Sequence, residues 1–200
     1  WIHAATLENG GVVASTQTLH WVAGGNITNG TTVDLEVSLD GGGSWSSIAS
    51  GIPATNETWS WNTLASADTP VGLLRIISPV ADTKNGTAIY FRVSNTGSKS
   101  YFVNDGNLLD DLYTEAAGSP VNLLATSNAP MDSLGRLLDL FNLEPGDIVY
   151  VDSGTYTASA GIVVSRLDGG KSSAPVFIQG STNDVLSGTS LSRGETSPGT

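Results

Sequence analysis

Four carboxylates lie close together in the chain, at Asp105, Asp110, Asp111 and Glu115. Residues 100–135 contain no Lys or Arg, so no cation adjacent in sequence neutralises them. Carboxylate and carbonyl oxygens are the ligands that Ca²⁺ takes in proteins, which makes this cluster a calcium candidate. The spacing does not match the EF-hand loop, and a solvated acidic loop is the alternative interpretation.

Other residue types that carry chemistry are present without the arrangement that chemistry needs. Ser, His and Asp all occur, but no Gly-x-Ser-x-Gly segment presents a nucleophile. A P-loop, a dinucleotide-binding fingerprint and a histidine cluster for zinc are also missing from the sequence. We interpret His3 as part of a terminal arm and His20 as a partly buried histidine of a strand.

Trp59 and Trp61 form a second candidate site, because alternate residues of a strand share one face. Two indole rings on one face can stack on sugar rings, as in carbohydrate-binding modules. The core of a β-sandwich would use the same pair, and Trp1, Trp21 and Trp45 lie in the same part of the chain. The core interpretation is favoured, and polysaccharide binding is the alternative.

Residues 38–45 match the pattern Ser-x-Asp-x-Gly-x-Ser/Thr-Trp through Ser38, Asp40, Gly42, Ser44 and Trp45. The segment resembles the Asp-box hairpins of sialidase propellers and of immunoglobulin-like domains on secreted bacterial proteins. Asp40 can accept backbone N–H bonds inside such a turn, and Trp45 can fold over the hairpin. We interpret the motif as structural, because a sialidase would need several copies and an arginine cluster.

Composition and charge exclude several classes of partner. The formal net charge is −11, and residues 101–200 hold twelve Asp and Glu against four Lys and Arg. This excess of negative charge argues against nucleic acid and anionic membrane surfaces. No apolar run approaches the roughly 20 residues of a membrane-spanning helix. With no Cys, the chain has neither a disulfide framework nor a thiolate metal site.

Period-two patterns dominate the first half. The clearest places four aliphatic side chains on one face, at Val33, Leu35, Val37 and Leu39. Residues 59–61, 73–77 and 89–94 are further strand candidates, and turn residues separate them. Short strands with one buried face predict an antiparallel immunoglobulin-like sandwich over residues 1–97.

The second half begins differently. Leu134, Leu137, Leu138 and Phe141 fall at i, i+3, i+4 and i+7, which predicts a helix with one apolar stripe. A β-branched run at 148–151 follows Pro145-Gly146 and predicts a buried strand, and residues 161–164 and 174–180 are strand-like as well. Residues 181–200 lack an apolar period and are interpreted as irregular, apart from the start of another coil at 184–188.

Together with Asn128-Ala129-Pro130-Met131, these segments resemble the first coils of secreted bacterial right-handed parallel β-helix proteins, the pectate-lyase-like superfamily. The likeness covers roughly residues 101–183 and implies a helix-capped β-helix start over residues 98–200. Lyases and hydrolases of the superfamily combine clustered carboxylates with Arg, Lys or His. Asp110 and Asp111 have no Gly-His-Gly or Arg-x-Lys segment to accompany them, so no catalytic residue is carried over.

The resulting hypothesis is a non-catalytic structural or adhesive module, located outside the cell or on its surface, that self-associates or forms part of a filament. A short β-helix leaves an open end, to be covered by further coils or by another copy. The alternatives are the non-catalytic N-terminal part of a secreted polysaccharide lyase or hydrolase, and a carbohydrate-binding module. The chain starts at Trp1 without a leader, so we expect a processed chain or a segment of a longer protein.

Overall fold

The computed structural model of the chain describes residues 1–4, 11–25, 27, 28, 30–81, 83, 84, 90–158, 161–182 and 188–193. Within these residues the fold is mainly β. The chain divides into two compact units, Trp1–Thr96 and Gly97–Thr200, and the division lies inside the small, polar segment 95–101. Residues 85–89, which include the first residue of the predicted strand 89–94, and residues 184–187 of the predicted coil start lie outside the described residues.

Short strands build the first unit: β1 (Ile2–Ala4), β2 (Val12–Val13), β3 (Thr16–Ala23), β4 (Thr32–Ser38), β5 (Ser46–Pro53), β6 (Thr58–Asn62), β7 (Thr69–Ile77), β8 (Thr83–Lys84) and β9 (Phe91–Val93). They form two sheets, in the orders β6-β3-β1-β8 and β2-β9-β7-β4-β5. The prediction of a wholly antiparallel arrangement is wrong, because β1 pairs with β8 and β2 with β9 in parallel. The physical reason is that β1 and β2, consecutive in the chain, enter different sheets, where each meets a late strand of the same direction.

The inner faces of both sheets form one hydrophobic core. On β4 the alternating side chains of Val33, Leu35 and Val37 are at most 5% exposed. Trp61 of one sheet meets Phe91 of the other edge-to-face, with ring centroids 6.1 Å apart. The period-two pattern of β4 is thus the pattern of a strand with one buried face, as the sequence predicts.

Parallel strands build the second unit: β10 (Ser100–Val103), β11 (Ile148–Val151), β12 (Gly154–Ala158), β13 (Phe177–Gly180) and β14 (Thr189–Arg193). β10, β11 and β13 form one parallel sheet, and β12 and β14 form another. The turn at Asp152-Ser153 joins β11 to β12, and the chain returns to place β13 beside β11 and β14 beside β12. Two successive passes of the chain are therefore stacked in register.

A helix, α1 (Leu134–Leu140), covers the core of the second unit. Ser133 caps its N-terminus, where Ser133 Oγ accepts from the Arg136 N–H at 3.3 Å. The predicted apolar stripe is buried, with Leu134, Leu137, Leu138 and Phe141 all in the core. Segment 125–131 bonds to the outer edge of β10, since the Phe102 N–H donates to Ala125 O and the Met131 N–H to Phe102 O.

Two predictions for the second unit are wrong. Residues 161–164 form no strand, and Val163 and Val164 are exposed because no described strand pairs with them. The chain from 181 onward is not irregular throughout, because β14 pairs with β12 over five residues. Its polar sequence carries little apolar period, and the register with β12, rather than a local pattern, places it in a sheet.

Candidate functional site

Asp152 is the centre of a buried polar network in the second unit. The buried strand β11 ends at Val151, and Asp152 follows at the turn with its side chain fully buried. Its Oδ1 accepts from the N–H groups of Leu112 at 2.7 Å and Ser153 at 2.8 Å. Its Oδ2 accepts from the Tyr113 N–H at 2.8 Å and from the Thr114 N–H and Oγ1–H at 2.7 and 2.8 Å. One carboxylate thereby ties the acidic loop to the turn after β11.

The hydrogen bonds to Asp152 outweigh the cost of burying it. Burial favours the neutral form, but the donors of Leu112, Thr114, Ser153 and Tyr113 bond to the charged form, and the net effect lowers the pKa of the Asp152 carboxyl. Asp152 therefore stays ionised and acts as an anion acceptor for the backbone. A carboxylate held by five donors is a structural group rather than a proton donor.

Asp111 has the opposite electrostatic character. Its Oδ2 accepts from Asn104 Nδ2 at 2.7 Å, while Oδ1 is buried with no hydrogen-bond partner among the described residues. Burial raises the pKa of the Asp111 carboxyl, and repulsion from Asp152 and Asp105 raises it further. A proton on Asp111, or a cation beside it, would relieve this repulsion.

The other calcium candidates have separate contacts. The Asp105 carboxylate accepts from the Asn107 N–H at 2.7 Å, the Asp110 carbonyl accepts from Ser153 Oγ at 2.8 Å, and Glu115 is exposed. In the part of the chain that the structure describes, no group of three or more His, Cys, Asp and Glu side chains is arranged to hold a metal. Asp105 and Asp111 do share a neighbourhood with Asp152. Calcium binding by Asp105, Asp110, Asp111 and Glu115 stays a prediction.

The Asp-box residues of the first unit are bonded to one another. Asp40 Oδ1 accepts from Ser38 Oγ at 2.7 Å and from the Ser44 N–H at 2.9 Å, and Asp40 Oδ2 accepts from Ser44 Oγ at 2.7 Å. The Gly42 N–H donates to Ser38 Oγ at 2.8 Å, and Gly42 has a φ of 103°, in the region that favours glycine. The bonds from Ser44 and Ser38 lower the pKa of the Asp40 carboxyl. These contacts shape the β4–β5 turn.

Arg75 covers the last residue of the motif. Its guanidinium carbon lies 4.2 Å from the ring centroid of Trp45, and its NH2 group lies 2.5 Å from Glu36 Oε2. A cation held between an indole face and a carboxylate is already paired on both sides. Arg75 is thus engaged within the protein rather than directed at a ligand carboxylate.

The structure separates the two tryptophans of β6. Trp61 is 4% exposed and belongs to the core, whereas Trp59, on the same inner face of the strand, is 37% exposed. Trp59 lines a groove of about 420 Å³ between β5 and β6. His20 of the neighbouring strand is exposed, so the prediction of a partly buried histidine there is wrong.

The last pass of the second unit leaves its inner face open. Val149 and Ile178 are paired across β11 and β13, and Tyr156 and Leu191 across β12 and β14, so each pair shares one face. Val149 and Tyr156 are 0% and 8% exposed, whereas Ile178 and Leu191 are 41% and 54% exposed. Among the described residues, the core of the second unit therefore ends in two apolar side chains that are only partly covered.

Comparison of the chain with protein-family models, with curated proteins and with solved structures found no match. Among the described residues, no helix has the length and apolar character needed to cross a membrane.

Sequence reasoning missed three residues that matter here: Asp152, Ile178 and Leu191. Asp152 looks like an ordinary turn residue in Asp-Ser-Gly, because its partners at 112–114 lie about forty positions earlier. Ile178 lies inside the predicted run 174–180, but its exposure depends on what packs below it. Leu191 lies in a polar segment without a local signal.

Proposed function

We propose that the chain is a non-catalytic structural module of an extracellular or cell-surface protein, and that the last pass of its second unit binds a second copy. In this proposal the first unit is an immunoglobulin-like sandwich. The second unit is the helix-capped start of a right-handed parallel β-helix.

The order of strands supports the immunoglobulin-like assignment. The sheet containing β9, β7, β4 and β5 corresponds to strands G, F, C and C′, and the sheet containing β1, β3 and β6 corresponds to A, B and E. The buried indole of Trp21, whose Nε1–H donates to Ala54 O at 2.8 Å, contributes to the core. The conserved disulfide of antibody domains has no counterpart in a chain without Cys.

Register supports the β-helix assignment. β11 and β13 pair without a shift over four residues, and β12 and β14 pair without a shift over five. Phe102 and Tyr150, paired across β10 and β11, stack with ring centroids 5.3 Å apart. Identical positions of successive passes therefore lie above one another, which is the arrangement of a solenoid.

The exposed apolar end of the second unit's core is the single observation that carries the assembly proposal. In a solenoid, the apolar face of each repeat is covered by the next repeat or by a partner. Here Ile178 and Leu191, the core-facing residues of β13 and β14, are apolar and about half exposed. Burying them against a second copy would remove this surface from water. The edges of β13 and β14 that pair with no described strand could extend their sheets at the same time.

Charge permits a head-to-tail contact between copies. Of the four Lys and Arg in residues 101–200, three lie after residue 160, at Arg166, Lys171 and Arg193. Nine of the twelve Asp and Glu of this half lie between residues 105 and 152. Residues 161–200 also hold three Asp and Glu, so this segment is neutral overall and can approach the acidic region of another copy without repulsion.

Sedimentation velocity over a wide range of protein concentration tests the proposal. We expect concentration-dependent association of the native chain, abolished by Ile178→Lys. Val121→Lys is the matched control, because Val121 is 78% exposed on a loop of the same unit. A strict monomer at every concentration, or association that Ile178→Lys leaves unchanged, would contradict the proposal. Far-UV circular dichroism verifies that each variant is folded.

A further inference from the structure

The groove beside Trp59 lies at the open side of the first unit. β5 and β6 are the outermost strands of their two sheets, and the groove runs between them. Its volume of about 420 Å³ falls within the range of sites that hold small ligands, roughly 300–1,000 Å³. The groove is therefore large enough for one or two sugar rings.

An aromatic platform lines this groove. Trp59 pairs with Leu19 across β6 and β3, so its indole lies on the core-facing side of the sheet. Leu19 is 2% exposed, while Trp59 at the sheet edge remains 37% exposed. An indole left partly in water at the mouth of a groove offers a flat apolar surface, and the C–H face of a pyranose can stack on such a surface.

The polar lining is neutral. The lining residues include Ser46, Ser47, Ser60, Ser66 and Asn62, all of them polar and uncharged. Asn62 Oδ1 accepts from the Leu64 N–H at 3.1 Å, which orients the amide and leaves its NH₂ group as the donor. None of the described residues that line the groove is charged. Hydroxyl and amide groups match the hydroxyls of an uncharged sugar better than they match a carboxylate or a phosphate.

The edges of the groove are poorly suited to adding a strand. The pairing of β5 with β4 has two register shifts, Gly51 of β5 has a φ of 65°, and the strand ends at Pro53. β6 has only five residues and lies between two 3₁₀ turns, Ala54–Asn56 and Thr63–Ala65. Bulges, prolines and short strands are the devices by which proteins protect sheet edges from pairing. A small ligand therefore fits this groove better than a partner's strand does.

We propose that the groove between β5 and β6 binds a neutral saccharide, with one sugar ring stacked on Trp59 and its hydroxyls bonded to the serines and to Asn62. This site is independent of the assembly proposed above, because it lies within the first unit. It would let the module attach to an uncharged polysaccharide.

Affinity electrophoresis and calorimetry with dextran, a soluble β-glucan, galactomannan and xylan test this site, with polygalacturonate as the charged comparison. We expect at least one neutral polysaccharide to bind, and Trp59→Ala to weaken that binding about tenfold or more. Trp59→Phe should restore part of it. Trp1→Ala is the matched control, because Trp1 is also exposed but does not line the groove. Ile178→Lys should bind as the native chain does, which separates this site from assembly.

Three results would overturn the proposal. The first is that no neutral polysaccharide binds the native chain. The second is that Trp59→Ala, shown to be folded by circular dichroism, binds as tightly as the native chain. The third is that Trp59→Ala changes sedimentation while glycan binding stays the same, which would identify the groove as a protein contact.

Discussion

Replacing Asp152 with asparagine should strongly destabilise the second unit. The change keeps the shape of the side chain but replaces one of its two acceptor oxygens with an NH₂ donor. In the native chain Oδ2 serves three donors, and Oδ1 serves the N–H groups of Leu112 and Ser153. The best orientation of asparagine keeps its oxygen at the three-donor position. The N–H groups of Leu112 and Ser153 then face another donor.

The size of the effect follows from these two lost acceptors. Leaving a buried donor unsatisfied costs about 1–3 kcal/mol, so the pair costs about 2–6 kcal/mol. The three bonds that remain also lose the assistance of a charge, which adds to the loss. A central value of about 4 kcal/mol is a large part of the 5–15 kcal/mol that stabilises a typical domain. It corresponds to a fall of roughly 15–30 °C in the melting temperature of a unit of this size.

Urea denaturation followed by far-UV circular dichroism measures this change. All five Trp lie within residues 1–61, so tryptophan emission reports separately on the first unit. Asp139→Asn, at an exposed position of α1, is the matched control and should stay within about 0.5 kcal/mol of the native chain.

The pH dependence provides a second readout. Because folding lowers the pKa of Asp152, its stabilisation is present above the unfolded carboxyl pKa of about 3.9 and is lost as the pH falls through the folded pKa. The difference in free energy of unfolding between the native chain and Asp152→Asn should therefore become smaller in acid. Equal stability of Asp152→Asn and Asp139→Asn at pH 7 would refute the reasoning.

Two further substitutions test the same region. Asp111→Asn should stabilise the fold at pH 7, because folding raises the pKa of the Asp111 carboxyl and so disfavours its ionised form. The gain should be less than about 1 kcal/mol, because the site is partly solvated. The gain should vanish as the pH falls through the raised pKa, and a gain that persists in acid would argue against this cause. Gly154→Ala should cost about 1–3 kcal/mol by thermal unfolding, because Gly154 has a φ of 142° and its new Cβ would overlap the Asp105 carboxylate. Gly161→Ala, where a Cβ would meet open space, is the control, and equal losses at the two glycines would count against the clash.

Sequence patterns correctly predicted the elements in which the spacing of apolar residues alone determines which face is buried. In β4 the alternation of Val33, Leu35 and Val37 matches the burial in the structure. In α1 the spacing of the leucines places one stripe in the core. Both are cases in which the period of the apolar residues equals the period of the secondary structure, so no knowledge of the partner element is required.

Local sequence patterns do not predict contacts between residues that are distant in the sequence, because those contacts depend on the tertiary fold. β14 is a strand because five of its residues pair with β12, although its own sequence is polar. Residues 161–164 have strand propensity and no described strand to pair with. The candidate site shows the same limit: the clustering of acidic residues was visible, but the five donors that hold Asp152 were not.

Hydrogen exchange at β13 tests the assembly proposal most directly. The N–H groups of Phe177 and Ser181 donate to Asp147 O and Val151 O, so the alternate N–H groups of Ile178 and Gly180 point away from β11, toward the edge that pairs with no described strand. We predict that the peptide containing Ile178 and Gly180 becomes protected from exchange as the protein concentration rises, and that Ile178→Lys abolishes this protection. Exchange that is fast at every concentration, in a chain that stays folded, would contradict the account.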